Sequence, residues 1–219
     1  MNKIKTATEI IDKREVLMRS AIKLFAENGF DAVTTRMIAA DAGVNMALIS
    51  YYFNSKDGLI DAIIEERVPV FGAKLRSIQK LELTAFEKLQ MALEAYVDRI
   101  LLSPDFARLI YRELSLKKRS HNIERLMDAF KKNKTLLEDI IKEGQDKNEF
   151  RRDSDYKMLL LSFFSTVTML VNTTNVCSMV LNESEENLKR DAFKLRAKIF
   201  FKLMFSQLLV PGNHVSLMD

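Results

Sequence analysis

The apolar residues of this chain recur at steps of three and four almost from end to end. Leu17, Ala21, Leu24 and Phe25 form one such set, and Leu188, Ala192, Leu195 and Ile199 another. A helix of 3.6 residues per turn gathers such positions on one face; a strand scatters them over two. Breakers are scarce: six Gly and three Pro stand among 219 residues. With 47% hydrophobic and 29% charged residues the chain can bury a sizeable core. These features predict an all-α protein.

Punctuation places the helices. Gly29 follows the first apolar set, where a left-handed helix end costs glycine least. Thr34 is a cap for a short helix over 35–42, and Gly43-Val44-Asn45 makes a tight turn. Asn45 then caps a helix over 46–52, and Ser55 caps the next. Pro69 and Gly72 interrupt the chain after that fourth helix. Longer helices are expected over 73–81, 84–102, 104–117, 120–145, 154–181 and 184–209. The expected domains are 1–66, a helix-turn-helix domain with a three-helix core, and 67–219, a larger helical domain.

Several classes of protein are disfavoured. Cys177 is the only cysteine, which rules out an intrachain disulfide and suits a reduced, cytoplasmic compartment. No apolar signal segment opens the sequence. Met158 to Asn182 lacks charge for 25 residues, a membrane-spanning length, but ten of these are Ser, Thr or Asn. A buried helix rather than a membrane span is expected. The two histidines, His121 and His214, stand far apart, and no phosphate loop or metal-ligand spacing occurs. No catalysis, metal or cofactor is expected.

The informative stretch is Thr34–Leu59, TTRMIAADAGVNMALISYYFNSKDGL. Two short helices across a glycine turn make a helix-turn-helix, with Ile38, Ala39, Ala42, Val44, Ile49 and Phe53 as its small core. That packing presents the later helix at the surface, where it can enter a DNA major groove. Net charge adds little: the chain carries +4, and eight basic against seven acidic residues in the first 60 leave an excess of one. Placement of charge must do what total charge does not.

Here the sequence resembles the TetR, or tetracycline-repressor-like, family of transcriptional regulators. The resemblance rests on Leu24-Phe25, Gly29-Phe30, Thr34-Thr35-Arg36, Ile38-Ala39, Ala42-Gly43-Val44, Tyr51-Tyr52-Phe53, Lys56 and Leu59, in register over about residues 14–65. It implies a dimer on double-stranded operator DNA, with repression as the default. Thr35 and Arg36 would touch phosphate or a base edge. Asn45, Met46, Ala47 and Leu48 would face the bases, and Tyr51 and Tyr52 would reach phosphate oxygens. Lys56 would add its charge to a helix N-terminus. Ser50 stands where the family often has a phosphate-binding tyrosine, and offers the same bond at shorter reach. Met46 and Leu48 make the reading surface apolar, which favours thymine-methyl contacts. An arm bearing Lys3 and Lys5 could follow the backbone, although a frayed terminus is an equal reading.

The second domain offers two expectations. Residues 154–181 and 184–209 are apolar enough to form a four-helix interface between two subunits, with Leu195, Ile199, Phe200 and Leu203 at the contact. An intrachain bundle is the other reading. A small, mostly apolar effector would be held among Leu93, Tyr96, Phe106, Tyr111, Phe130, Phe163, Thr168, Met169 and Asn172, with Phe86 and Leu89 as further wall candidates. Ser165, Thr168, Asn172 and Asn175 share one helix stripe, which suits either a pocket wall or close helix packing. The basic runs at 117–119 and 189–202 read as solvated faces or as contacts to an anionic partner. The functional alternative is a chromosome-organising or division-linked DNA-binding protein whose large domain binds a protein.

Overall fold

The computed structural model describes residues 7–116 and 120–212. The Lys3–Lys5 arm, the 117–119 run and His214 lie outside them. Among the described residues the regular structure is helical throughout. The chain divides into two compact units, Met1–Pro69 with Asp105–Met127, and Val70–Pro104 with Asp128–Asp219.

The first unit is built on α1 (Ala7–Asn28), α2 (Thr35–Asp41), α3 (Ala47–Phe53) and α4 (Lys56–Arg67). Leu17, Met18, Ala21 and Phe25 of α1 are fully buried against Ile38 and Ala39 of α2, Ile49 and Phe53 of α3, and Leu59, Ile60 and Ile63 of α4. Burying each large side chain contributes about 1.5–3 kcal/mol, which is what holds such short helices in place. Gly29 ends α1 with φ +81°, a left-handed conformation that favours glycine; the Arg112 guanidinium that a Cβ would meet at 2.4 Å is the end of a flexible side chain and could move aside. Gly43 supplies the left-handed residue of the α2–α3 turn. Thr34 caps α2 by accepting from the Met37 amide, and Ser55 caps α4 by accepting from the Gly58 amide.

The expected boundary at residue 66 missed a return of the chain. Residues 105–127 belong to the first unit, because Leu109 and Ile110 of α7 (Pro104–Leu116) and Leu126 of α8 (Ser120–Asp146) are buried in the same core as Phe25 and Ile38. This insertion is long-range in sequence and leaves no local signal.

The second unit comprises α5 (Pro69–Gln79) beyond its first residue, α6 (Ala85–Leu102), the rest of α8, and α9 to α12. The break expected past the fourth helix falls at Pro69, since α4 ends at Arg67 and Pro69 starts α5, where its missing amide is harmless; Gly72 makes no break and lies buried within α5. A Cβ on Gly72 would meet the Asn133 amide oxygen at 2.7 Å, so a larger residue there would require that side chain to shift. Thr84 and Glu87 form a capping box on α6, and Glu149 accepts from the Ala85 amide at 2.7 Å. Lys88, only 6% exposed, donates to Glu143 at 2.9 Å, so its buried charge is paired. Phe163 of α9 (Tyr156–Asn172) centres an aromatic cluster with Tyr96, Phe164, Phe201 and Phe205.

Both long apolar helices are broken. The helix expected over 154–181 is α9 followed by α10 (Thr174–Leu181), bent by 107° at Thr173. Thr173 and Thr174 turn their hydroxyls onto the carbonyls of Met169 and Leu170, a local bonding pattern that competes with regular helix. No single described helix is long and apolar enough to cross a membrane; α9 and α10 reach that length and composition only when taken together, across the bend. The helix expected over 184–209 is α11 (Glu185–Leu188) and α12 (Asp191–Leu209), because Ser184 caps a first short turn and the chain restarts at Arg190.

Candidate nucleic-acid interface

The helix-turn-helix forms as the spacing required, and its outer surface is made by the start of α2 and the exposed side of α3. Thr35 is half-buried at the first position of α2, and Arg36 beside it is exposed. Asn45 points its Oδ1 onto the Ala47 amide at 2.8 Å, so its side chain caps α3 one residue earlier than the backbone boundary. This leaves its amide NH2 as the donor free to face outward.

Met46 is 51% exposed and Ala47 and Ser50 are also exposed, which gives α3 a largely apolar leading edge. Leu48 departs from the expected base-facing role: it is half-buried and packs on the core of the unit. The tyrosines divide likewise. Tyr51 is 75% exposed, whereas Tyr52 packs against the core and meets the Tyr51 ring edge-on at 4.9 Å. Met37, on α2, is a further exposed apolar side chain that the motif did not flag.

Lys56 requires a correction. Its Nζ does not project from the N-terminus of α4. It donates to the carbonyls of Phe30 and Val33, at 2.8 Å each, and lies 4.2 Å from the centroid of the Phe30 ring. The lysine ties the α1–α2 loop to α4, a structural task invisible in the local motif.

Other cations of this segment are also committed. Arg14 donates two bonds to Glu66, Arg67 pairs with Glu15, and Lys23 bonds Asp41 at 2.8 Å. The bond from Arg14 holds the Glu66 carboxyl below its usual range, and Lys23, with Ser20, does the same for Asp41. These pairs are largely exposed, so each contributes modestly. Together they fix α1 to α2 and α4.

The second unit does not assemble the expected ligand set. Leu93 and Tyr96 of α6 meet Phe163 in its core, but Phe106 and Tyr111 belong to the first unit. Phe130 is 37% and Met169 42% exposed, and Asn172 is exposed, with its Nδ2 donated to the Thr168 carbonyl of the same helix. The Thr168 hydroxyl is buried and has no hydrogen-bond partner among the described residues. The stripe of Ser165, Asn172 and Asn175 faces out of the subunit.

A cleft does form where Phe86, Leu89 and Leu93 of α6 face Phe163, Phe201 and Phe205, with Lys198 and Lys202 at its edge. Its free volume is about 10 Å³, room for about one water, so the aromatic side chains fill it. The α12 half of this wall was missed, although the spacing 198, 201, 202, 205 could have revealed a second inward face. Among the described residues no cluster of His, Cys, Asp and Glu could hold a metal ion.

Comparison with known proteins agrees with both units. Residues 17–63 match the model for bacterial regulatory proteins of the tetR family, and residues 86–194 match that of a tetracyclin repressor-like C-terminal domain. The chain is 26% identical over 175 residues to the fatty acid metabolism regulator protein of Bacillus subtilis, covering 78% of this chain and 86% of that one. It is 25% identical over 162 residues to the transcriptional repressor KstR2 of Mycobacterium tuberculosis, covering 71% and 78%. Among solved structures, FadR from Bacillus subtilis in complex with stearoyl-CoA superposes with a TM-score of 0.62 at 21% identity, covering 91% of this chain and 99% of that one. The helix-turn-helix with its exposed α3 edge, followed by the matching helical domain, places this chain in the TetR family of bacterial transcriptional regulators.

Proposed function

We propose that the protein is a homodimeric repressor that binds operator DNA through Thr35, Arg36, Asn45, Met46, Ala47, Ser50 and Tyr51 and is released by a small, mostly apolar effector. The observation that carries this reading is the outer surface of α2 and α3, where Arg36, Met46 and Tyr51 stand exposed on a rigid core. A reduced cytoplasmic compartment fits a DNA reader whose single cysteine is buried.

The dimer contact is the outer face of α12. Leu195, Ile199, Phe200 and Leu203 are each 50–59% exposed, an apolar stripe that one subunit leaves open to water. Leu161 and Met158 of α9 are likewise exposed. Two such helices from each subunit make a four-helix interface. Ser165 and Asn172 on the same side of α9 then serve helix packing rather than a pocket wall.

The effector belongs in the cleft between α6, α9 and α12. Its lining is aromatic and aliphatic, which suits an acyl or similarly apolar chain, and Lys202 at its edge suits an anionic head. The relatives named for fatty acid metabolism and the stearoyl-CoA complex of one of them support that class. With about 10 Å³ free, the cleft must open to admit such a chain. The effector therefore selects an opened conformation, and release requires that this conformation bind DNA less well. No observation favours the chromosome-organising alternative.

Linkage gives the test. Stearoyl-CoA affinity is measured by calorimetry on the full-length protein, alone and saturated with an operator duplex obtained by selection. The duplex should weaken stearoyl-CoA binding by about 1–3 kcal/mol, about 5–150-fold. Tight binding that the duplex leaves unchanged would remove this compound as an inducer.

A further inference from the structure

The DNA interface above is nearly neutral in net charge, yet binding to a duplex draws much of its strength from cations that neutralise phosphates. Between residues 13 and 67 the chain has seven basic residues. Five of them already have a partner within the protein: Arg14 with Glu66, Lys23 with Asp41, Lys56 with two carbonyls, Arg67 with Glu15 and, more loosely at 3.7 Å, Arg19 with Glu15. Among the described side chains, Lys13 and Arg36 have no such partner. Arg36 already belongs to the interface. Lys13 lies on α1, before residue 17, where the family match begins.

Lys13 is also in the right place. It shares a shallow surface depression with Gly43, Val44, Asn45, Ala47 and Leu48, the turn and first residues of α3. None of these carries a carboxylate that could compete for its ammonium. Apart from the neutral Asn45 amide the walls are apolar or backbone, so an anion seated there would meet Lys13 as its one cation. Neighbouring Arg14 is held by Glu66, and its charge is satisfied within the fold.

We propose that Lys13 is a phosphate-binding residue of the operator interface, seating the DNA backbone in the depression beside the start of α3. This rests on the DNA-binding reading of the preceding section. Lys13 and Arg36 then bracket α3 from α1 and α2 and supply the electrostatic contact that the local motif assigned to Lys56. A phosphate contact of this kind fixes register and orientation and carries no sequence preference.

The test is a salt titration of the full-length protein on a selected operator duplex and on its scrambled counterpart. Wild type, Lys13→Ala, Lys13→Gln and Lys13→Arg are compared from 50 to 200 mM salt. Each lost phosphate contact reduces the salt slope by about 0.9, so the two copies in a dimer change it by about 1.8. The affinity gap between wild type and Lys13→Ala should thus narrow about twelvefold across that range. Both duplexes should respond alike, Lys13→Gln should match Lys13→Ala, and Lys13→Arg should restore the wild-type slope. Thermal melts should coincide, since among the described residues the Lys13 side chain has no bond to lose. If wild type shows a steep slope and Lys13→Ala and Lys13→Gln run parallel to it, the assignment of Lys13 is overturned while the DNA reading stands. If wild type binds neither duplex, the DNA reading fails and takes this assignment with it.

Discussion

Lys56→Met isolates the structural task of the lysine, because methionine keeps an unbranched apolar stem over Phe30 while removing the ammonium. Two charge-assisted bonds are lost, those to the carbonyls of Phe30 and Val33. Such bonds are worth about 1.5–3 kcal/mol each when buried. Lys56 is only half-buried, and Phe30 O also accepts from the Val33 amide, so the lower end applies and water recovers part of it. The cation–π contact adds about 0.5–1 kcal/mol, which the methionine sulfur partly replaces. The expected loss is about 2–3 kcal/mol, or about 4–12 °C in Tm for a chain of this size. The assay is thermal denaturation followed by circular dichroism, with both proteins at the same concentration because a dimer's Tm depends on it. The reasoning is refuted if Tm is unchanged and the salt slope for DNA falls instead, for Lys56 would then be a phosphate contact.

Three further outcomes follow from the packing. Leu203→Glu, at a site 57% exposed in the subunit, should leave the subunit folded but place an unpaired carboxylate in the proposed interface, weakening association by about 3–5 kcal/mol; sedimentation should show monomer where wild type is a dimer. Gly58→Ala should destabilise the protein by about 1–3 kcal/mol in urea denaturation, because the new Cβ would lie 2.0 Å from the Phe53 carbonyl oxygen, a backbone atom that cannot swing aside. Glu66 is held below the usual carboxylate value near 4.5 by its bond from Arg14, so its contribution is complete above that pH and is lost as pH falls towards the folded value. Glu66→Gln should therefore lose less stability on acidification than wild type, and equal acid slopes would show that the pair contributes nothing measurable.

Local features were the legible ones. The caps at Thr34 and Ser55, the turn at Gly43 and the inward positions of α1 follow from rules that act within four residues, and the structure forms each of them. What the sequence hid was long-range or lacked a breaker. The bonds of Lys56 reach 26 and 23 residues back along the chain. The bend at Thr173 has no glycine or proline to mark it; threonine hydroxyls bonding their own helix carry that signal weakly. The return of residues 105–127 to the first core moved Phe106 and Tyr111 out of the expected ligand wall, since an aromatic on an amphipathic helix does not say which core it enters. Tyr51 and Tyr52, adjacent and alike in the motif, were separable only once their exposure was known.

The central claim, that the exposed edge of α3 reads DNA sequence as part of a symmetric dimer, is tested most directly by selection of bound duplexes from a random pool by the full-length protein. The account predicts one enriched pseudo-palindrome, with half-sites centred about 34–36 Å apart along the duplex or a multiple of that spacing. The same selection with Met46→Gln should change the preferred base at one position in each half-site and leave the spacing intact. A pool that stays random for wild type, or a motif without two-fold symmetry, would contradict the account.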